Sequence, residues 1–407
     1  MGYCDKVFNK VEAHELLREF GSPLYVYDEA TLRQRCREMK KLVSYPQFRV
    51  NYSAKANTNP QLLKIVREEG LDVDAMSPGE MYLEELAGFP PERIMFIGNN
   101  VAQGEFEYAV RRGIYISVDS LSQLKTLGAV NRGGEVCLRV NPEVGAGHHE
   151  KVVTGGKKAK FGIAIEDIPQ ACTIADSFGM TVTGLNQHIG SLFLDGGDYL
   201  AAMELLLTLA EEMPAIHTLD FGGGFGIPYR HGVEPRLDLK AMGAAMDERL
   251  NAWSAQNRAI TVRIEPGRYI AAECSNLLGT VTAIKNNYGN TFVGCDIGFN
   301  TLIRPAMYDS YHEIDIAPHT PRAYAEYDGP AWLVGPICES GDILAHDRPL
   351  PRCEEGDAVI IHDAGAYGYS MASPYNSRPL PAEVLIQADG SVRLIRRRQS
   401  LEELWQI

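Results

Sequence analysis

The sequence predicts an α/β protein in which a closed (β/α)8 barrel is followed by an all-β domain. Apolar strand-like segments alternate with amphipathic helix-like segments through the first two thirds of the chain, which is typical of parallel strands with crossover helices. Eight strand candidates occur there, the number that closes such a barrel. Beyond Arg268 the helical pattern fades and strand-like runs follow one another.

The first barrel strand is predicted at residues 48–54, where apolar and polar side chains alternate. Asn59 and Pro60 then have the residue types of a helix N-cap and a first helical position. Lys55 falls between the two elements, at the C-terminal end of the strand. Active sites of (β/α)8 barrels lie at these strand ends, so Lys55 is a candidate functional residue. A lysine near a loop is usually only solvated, so further residues have to support this.

The other seven strand candidates are residues 71–76, 94–97, 114–118, 136–141, 182–188, 216–221 and 261–265. An open doubly wound sheet is the alternative, but it would need nearer six strands. The segment 141–161 interrupts the alternation, being rich in Gly, His and Lys without a helical period. Such a loop is either functional or a surface insertion. His148 and His149 are adjacent there, but no third ligand accompanies them, so no metal site is predicted.

The all-β domain is predicted from six strand-like runs, LLGTVTAIK, TFVGCDIG, AWLVGP, DAVIIHD, AEVLIQ and VRLIRRR. Asp389 and Gly390 separate the last two runs and indicate a hairpin turn. The strand candidate at 23–27 has no crossover helix before it and is expected to join this domain. The predicted boundaries are therefore 28–267 for the barrel, and 1–27 with 268–407 for a β-sandwich or β-barrel-like domain.

Composition narrows the possible functions. The 407 residues carry a formal net charge of -14, which argues against nucleic acid or an anionic membrane as a partner. No apolar run reaches the length of a transmembrane helix, and the N-terminal residues carry charges where a signal peptide would be apolar. The eight cysteines include no CxxC pair. We therefore expect reduced thiols in a cytoplasmic protein, not a disulfide framework or a zinc site.

Further polar residues fall at the ends of the predicted strands. His188 ends the sixth strand, a glycine run at 222–224 follows the seventh, and Glu265 ends the eighth. Each has an ordinary structural explanation, since such a histidine or carboxylate is often just a satisfied core group. Together, however, a lysine for a Schiff base, a flat ring, a carboxylate and a glycine-rich turn meet the requirements of pyridoxal phosphate.

From about residue 23 to the end, the chain resembles the fold-type III pyridoxal-phosphate decarboxylases, and within them the diaminopimelate decarboxylase family. The motifs that carry the resemblance are YSAKAN (52–57), HIGS (188–191), GGGFGIPY (222–229), EPGR (265–268), FNTLIRPAMYDSYH (299–312), GPICESGD (335–342), GAYGYSMASPYNSRP (365–379) and LIRRRQSLEEL (394–404). The loop GAGHHEKVVTGG also resembles its counterpart in the bacterial enzymes. The family fold, an alanine racemase-like barrel followed by a β-domain, agrees with the fold predicted from the residues.

The resemblance implies roles around the cofactor. Lys55 would form the Schiff base and His188 would stack on the pyridine ring. Glu265 would keep the pyridine nitrogen protonated, so that the ring accepts the electrons left when CO2 departs. The related racemases have an arginine there, so Glu265 favours decarboxylation. Asp74 matches a carboxylate near the cofactor. The residues expected to bind the cofactor's phosphate and its surroundings are Ser191, Gly222, Gly223, Gly224, Gly267, Arg268 and Tyr367.

The resemblance also implies a substrate end. The residues expected there are Arg268, Arg304, Tyr308, Glu339 and Tyr367, and Cys338 matches the cysteine that protonates the carbanion. Arg304 suits a distal carboxylate and would repel a lone terminal ammonium; alternatively, it forms a salt bridge within the protein. In the family, the CESGD segment comes from the neighbouring subunit, which implies a homodimer with shared active sites.

The expected activity is that of a carbon–carbon lyase that converts meso-2,6-diaminopimelate to L-lysine and CO2, the last step of lysine biosynthesis. The alternative is a related decarboxylase that acts on ornithine, D-lysine, arginine or carboxynorspermidine. A non-catalytic relative would lack Lys55 or Cys338, and a racemase would lack Glu265. The sequence departs from the family pattern at Asn186, Gln187 and Leu192, which affects the shape of the expected pocket more than its chemistry.

Overall fold

The protein is represented by a computed structural model that describes residues 3–142, 146–147, 156 and 159–405. The chain forms two compact units. The barrel unit comprises Arg33–Ile227 and Pro235–Ile270, and the β-rich unit comprises Met1–Leu32, Pro228–Glu234 and Ala271–Ile407. His148 and His149, and with them most of the segment 141–161, lie outside the described residues.

The barrel unit contains eight parallel strands that close into a barrel. They are β1 (Phe48–Ser53), β2 (Asp72–Ala75), β3 (Ile94–Phe96), β4 (Tyr115–Val118), β5 (Glu135–Asn141), β6 (Thr181–Asn186), β7 (Thr218–Asp220) and β8 (Thr261–Ile264). Each strand pairs in parallel with the next. Strand β8 also pairs with β1, with Val262 opposite Phe48, which closes the sheet. The predicted barrel is therefore confirmed, and the open sheet was the wrong alternative.

Helices separate the barrel strands, as expected for parallel pairing. The first and last helices of this unit extend slightly past its bounds. The helices are Glu29–Lys40, Pro60–Glu68, Pro78–Leu86, Gln103–Arg112, Leu121–Val130, Ile168–Ser177, Gly197–Glu211, Leu239–Gln256 and Arg268–Ala271. Short strands lie at Ala146–Gly147, Ile163–Ala164 and Gly190–Ser191.

The helix after β1 begins as the sequence predicted. Asn59 accepts a hydrogen bond from the Gln61 N–H through Oδ1 at 2.9 Å, and Pro60 is the first helical residue. The buried face of this helix includes Leu62, Leu63 and Val66. The cap thus fixes where the chain turns from β1 into the helix, and Lys55 lies in that connection.

The β-rich unit contains a twisted network of mainly antiparallel strands. These are Lys6–Val7, Val11–Glu12, Leu24–Asp28, Ser275–Asn287, Asn290–Cys295, Ile314–Ala317, Ala331–Val334, Ile343–Arg348, Ala358–Ile361, Ala382–Ile386 and Val392–Arg396. Its α-helices are Ala13–Phe20 and Arg304–Tyr308. The sequence analysis did not predict the strands at Ile314–Ala317 and Ile343–Arg348.

Two specific predictions about this unit are confirmed. Strand Leu24–Asp28 pairs antiparallel with Ser275–Asn287 and parallel with Ala382–Ile386, so the early strand does join the second domain. The last two strands form an antiparallel hairpin, and Gly390 in its turn has φ +85°. A left-handed φ is the conformation that glycine adopts without steric cost.

Among the residues that the structure describes, no helix is long and apolar enough to cross a membrane.

Candidate active site

Lys55 lies at the C-terminal end of β1, within the single 3-10 turn Ala54–Ala56. The turn is held by the Tyr52 hydroxyl, which donates to the Asn57 carbonyl at 3.1 Å. Both Ala54 and Ala56 are buried, whereas Lys55 is half-buried. The lysine is thus presented from a rigid connection at the barrel end where (β/α)8 enzymes place their chemistry.

Glu265 directly follows β8 and is only 5% exposed. It accepts a hydrogen bond from Asn186 Nδ2 at 3.2 Å through Oε1. Burial raises the pKa of Glu265, and the positive charges of Lys55 and Arg139 oppose that rise. The acid therefore lies within electrostatic range of the lysine although the two residues are far apart in sequence.

Two further acids, Asp74 and Asp220, are fully buried in this cluster. Asp74 accepts from Ser53 Oγ at 3.0 Å, and Asp220 accepts from the Gly222 N–H at 2.9 Å. Burial, followed by the negative charge of Glu265, raises the pKa of both carboxyl groups well above the usual range. Burial and the charge of Glu265 therefore both favour the neutral forms of Asp74 and Asp220.

His188 follows β6 and is held in one tautomer. The Gly223 N–H donates to Nδ1 at 3.0 Å, so the proton of the neutral ring lies on Nε2. Burial, and then the positive charges of Lys55 and Arg139, hold the pKa of His188 well below its usual value. The result is a neutral, flat ring, which is suited to stacking against an aromatic ligand.

The glycine turn after β7 packs against backbone on both sides. A Cβ on Gly222 would lie 2.2 Å from the Gln187 carbonyl oxygen, and a Cβ on Gly223 would lie 2.0 Å from that of Glu265. Gly224 has φ +107°, and its Cβ would lie 2.6 Å from the Gly190 oxygen. Because no side chain fits, the turn can bring its backbone N–H groups close to an anion.

Arg268 and Ser191 provide a positive charge and a hydroxyl in the same unit. Arg268 is 6% exposed and donates to Ser191 Oγ from Nε at 3.2 Å and from Nη2 at 3.0 Å. At Gly267 an added Cβ would lie 3.1 Å from the Cβ atoms of Ala56 and Ser53. This close approach joins the segment after β8 to the turn that bears Lys55.

These residues fit a cofactor that carries an aldehyde, an aromatic nitrogen and a phosphate. The site offers an amine, a neutral ring, a buried carboxylate, and a cation beside a glycine turn. Asp74 Oδ2 and Asn186 Oδ1 are buried without a hydrogen-bond partner among the described residues, which indicates a site built for a polar ligand.

Of the residues predicted for the substrate end, Arg268 lies in the barrel unit and the others belong to the β-rich unit. Arg304 begins the helix Arg304–Tyr308 and is 1% exposed. Its Nη1 lies 2.8 Å from His312 Nε2, and its guanidinium lies 4.6 Å from the centre of the Tyr229 ring. The arginine thus already contacts two side chains of its own unit.

The other predicted residues of this unit differ in exposure. Tyr308 and Tyr367 are half-buried, and Tyr367 has φ +57°, an unusual conformation for a residue other than glycine. Cys338 and Glu339 are both exposed, on the loop 335–342. The structure describes these residues within the β-rich unit and the residues around Lys55 within the barrel unit.

Sequence reasoning missed Arg139 and Asp220 as members of the cluster around Glu265, and it noted Asn186 only as a departure. These residues lie on β5, β7 and β6. The available signal was a charged or amide side chain inside an otherwise apolar strand. In a barrel, a buried side chain of this kind has to point into the barrel interior or pair with another polar or charged group.

We predict that Gly223→Ala weakens cofactor binding by at least about tenfold, because the new Cβ would displace Glu265 and the hydrogen bond to His188. Titration of the purified protein with pyridoxal phosphate, followed by absorbance, measures this. Gly104→Ala is the matched control, since its Cβ would have nothing within 4 Å. Equal cofactor affinity in the two variants would contradict the prediction.

Comparison with known proteins identifies the family. Residues 29–272 match the model for the pyridoxal-binding domain of pyridoxal-dependent decarboxylases. A diaminopimelate decarboxylase of Methanothermobacter thermautotrophicus is 42% identical, over 97% of this chain and 93% of the relative. One of Escherichia coli is 36% identical, over 96% of both chains.

Solved structures agree with the sequence relatives. The structure of diaminopimelate decarboxylase from Helicobacter pylori in complex with L-lysine has a TM-score of 0.88 and 32% identity. The match covers 96% of this chain and 98% of that one. The chain therefore belongs to the pyridoxal-dependent decarboxylases, in the diaminopimelate decarboxylase family.

Proposed function

We propose that the protein is a carbon–carbon lyase that uses pyridoxal phosphate to convert meso-2,6-diaminopimelate to L-lysine and CO2, the last step of lysine biosynthesis. The observation that carries the proposal is the buried Glu265 within electrostatic range of Lys55 at the C-terminal end of the barrel. A carboxylate there can hold a proton on the pyridine nitrogen, and that favours decarboxylation over racemisation. Relatives of nearly full length that bear the name diaminopimelate decarboxylase support the same conclusion.

The barrel residues would act as follows. Lys55 would supply the amine that links to the cofactor, His188 would stack on its ring, and Glu265 would hold a proton at the ring nitrogen. When bound, pyridoxal phosphate accepts the electron pair left by CO2. The burial that favours the neutral forms of Asp74 and Asp220 suits this arrangement, because two more anions would compete with Glu265 for the same positive charges.

The phosphate would be bound by residues of the glycine turn and the segment after β8, with help from the β-rich unit. These are Ser191, Gly222, Gly223, Gly224, Gly267, Arg268 and Tyr367. The left-handed backbone of Tyr367 supports a functional role, since such strain is retained mainly where a side chain has to be aimed. We further propose that residues 28–267 form the cofactor-binding domain and that 1–27 with 268–407 form the β-domain.

At the substrate end, we assign the distal amino-acid head of diaminopimelate to Arg304, Tyr308 and Glu339. By the resemblance to the family, we also assign a role in substrate binding to Arg268 and Tyr367. Arg304 carries a permanent positive charge on a planar guanidinium, whose paired N–H donors match the two oxygens of a carboxylate. Glu339 suits the distal ammonium. Cys338 donates its proton to the carbon that CO2 has left, and solvent restores the proton to Sγ.

A homodimer would complete the site. Cys338 and Glu339 are exposed on the chain, yet proton delivery to a carbanion requires that water be kept away. We therefore propose that a second copy covers this loop and shares its active site. We propose that the enzyme acts on a small molecule in the cytoplasm. The net charge of -14 argues against nucleic acid or an anionic membrane as a partner.

The decisive experiment measures CO2 release by the purified enzyme with added pyridoxal phosphate. We expect release from meso-diaminopimelate, with formation of L-lysine, to exceed release from ornithine, D-lysine, arginine and carboxynorspermidine by at least about a hundredfold in kcat/KM. A preference for any substrate without a distal carboxylate would overturn the assignment of Arg304 and favour the alternative decarboxylase.

A further inference from the structure

The loop that carries Cys338 and Glu339 is anchored to the body of the β-rich unit by Asp342. This carboxylate is 4% exposed and accepts the Phe299 N–H at 2.6 Å through Oδ1. Its Oδ2 accepts the Ile337 N–H at 2.7 Å. The residue just before Cys338 is therefore fixed, while the cysteine itself extends to the surface.

A second anchor is the side-chain amide of Asn376, which contacts Cys338 twice. The Cys338 N–H donates to Asn376 Oδ1 at 3.3 Å, and Asn376 Nδ2 lies 3.3 Å from Cys338 Sγ. Because the Cys338 backbone N–H can only donate, the atom of the Asn376 side-chain amide that faces it must be the oxygen. The NH2 group must then face the sulfur, and Asn376 donates a hydrogen bond to Sγ.

The backbone around Asn376 indicates that this placement is built into the fold. Asn376 has φ +56° and ψ +25°, and the next residue, Ser377, has φ +54°. Two successive left-handed residues other than glycine are unusual, and asparagine is among the side chains that tolerate this conformation best. The turn therefore aims the amide of Asn376 back at the loop 335–342.

The residue before Asn376 holds the other functional side chain of the loop. The Tyr375 hydroxyl donates to Glu339 Oε1 at 2.7 Å. The Tyr375 ring stacks on Phe299 with centroids 5.7 Å apart and planes 21° apart. Tyr375 thus holds Glu339, and the next residue, Asn376, holds the neighbouring Cys338.

We propose that Asn376 is a positioning residue for the thiol of Cys338, which it aims and whose thiolate it stabilises after proton transfer. The inference rests on the proposed function. In that step the S–H bond breaks, its electron pair stays on Sγ, and the proton forms a C–H bond with the electron pair left by CO2. A donor already aimed at Sγ stabilises the negative charge that develops there.

The test is the pH dependence of Cys338 alkylation by iodoacetamide, a reagent small enough to enter the substrate site, in the holoenzyme without substrate, measured by mass spectrometry of the Cys338 peptide. Asn376→Gly removes the donor but accepts the left-handed backbone, so it separates the hydrogen bond from backbone strain. We expect its alkylation midpoint to rise by about one pH unit, and that of Asn376→Asp to rise further, because a carboxylate faces the thiolate. kcat should fall about tenfold in Asn376→Gly, with KM little changed.

Two controls accompany the test. Cys172, half-buried in the barrel unit, should keep its alkylation profile in every variant. Asn9→Gly replaces another exposed asparagine with φ +56°, and it should leave the Cys338 midpoint unchanged. An unchanged midpoint in both Asn376 variants would overturn the proposal. Failure of the wild-type enzyme to release CO2 would refute the proposed function instead, while the alkylation midpoints would still decide whether Asn376 stabilises the thiolate.

Discussion

Lys55→Ala is expected to lose turnover by at least about a thousandfold and to lose the absorbance of the bound cofactor. Among the described residues of the cluster around Glu265, the Lys55 amine is the group that can link covalently to an aldehyde, and alanine removes it. The buried pocket would also lose a positive charge that lowers the pKa of Glu265. The measurements are the visible spectrum after addition of pyridoxal phosphate and CO2 release from meso-diaminopimelate.

Two further variants identify the cause of that loss. Lys55→Arg keeps a positive charge but cannot form the link, so it should be as inactive as the alanine variant. Lys64→Ala changes an exposed lysine on the following helix and should match the wild type. Normal turnover in Lys55→Ala would rule out the covalent role of this residue.

Glu265→Gln is expected to lower kcat by about 100- to 1,000-fold while the cofactor still binds. The amide has nearly the same shape as the carboxylate, but it cannot stabilise a proton on the ring nitrogen. Stopped-flow or steady-state CO2 release measures kcat, and the visible spectrum reports binding. Glu211→Gln, at an exposed position on the helix Gly197–Glu211, is the matched control.

The same residue predicts the acid limb of the pH profile. Burial raises the pKa of Glu265, and the ionised form is the active one. Activity should therefore be present above that raised pKa and fall as the pH drops through it, at a higher pH than for an ordinary glutamate. Glu265→Gln should lose this limb. A wild-type-like acid limb in the glutamine variant would show that another group controls it.

The residue pattern was enough to predict the barrel, because most of its strands are short runs buried on both faces and each intervening helix buries one face. The same physics located the hairpin at Asp389 and the N-cap at Asn59, since both depend on neighbouring residues alone. Strand Ile343–Arg348 escaped prediction because its polar residues give no strand alternation. Its pairing with Ala331–Val334 decides its conformation.

By itself, the sequence determined the order of strands and helices, and with the family motifs it selected Lys55, His188 and Glu265 as candidate site residues. Only the tertiary structure decided that β8 closes on β1 and that Arg139 and Asp220 join the cluster around Glu265. It alone brought Asn376 to the sulfur of Cys338. The physical reason is range: capping and periodicity act between residues a few positions apart, whereas burial, charge and hydrogen bonding act between residues that only folding brings together.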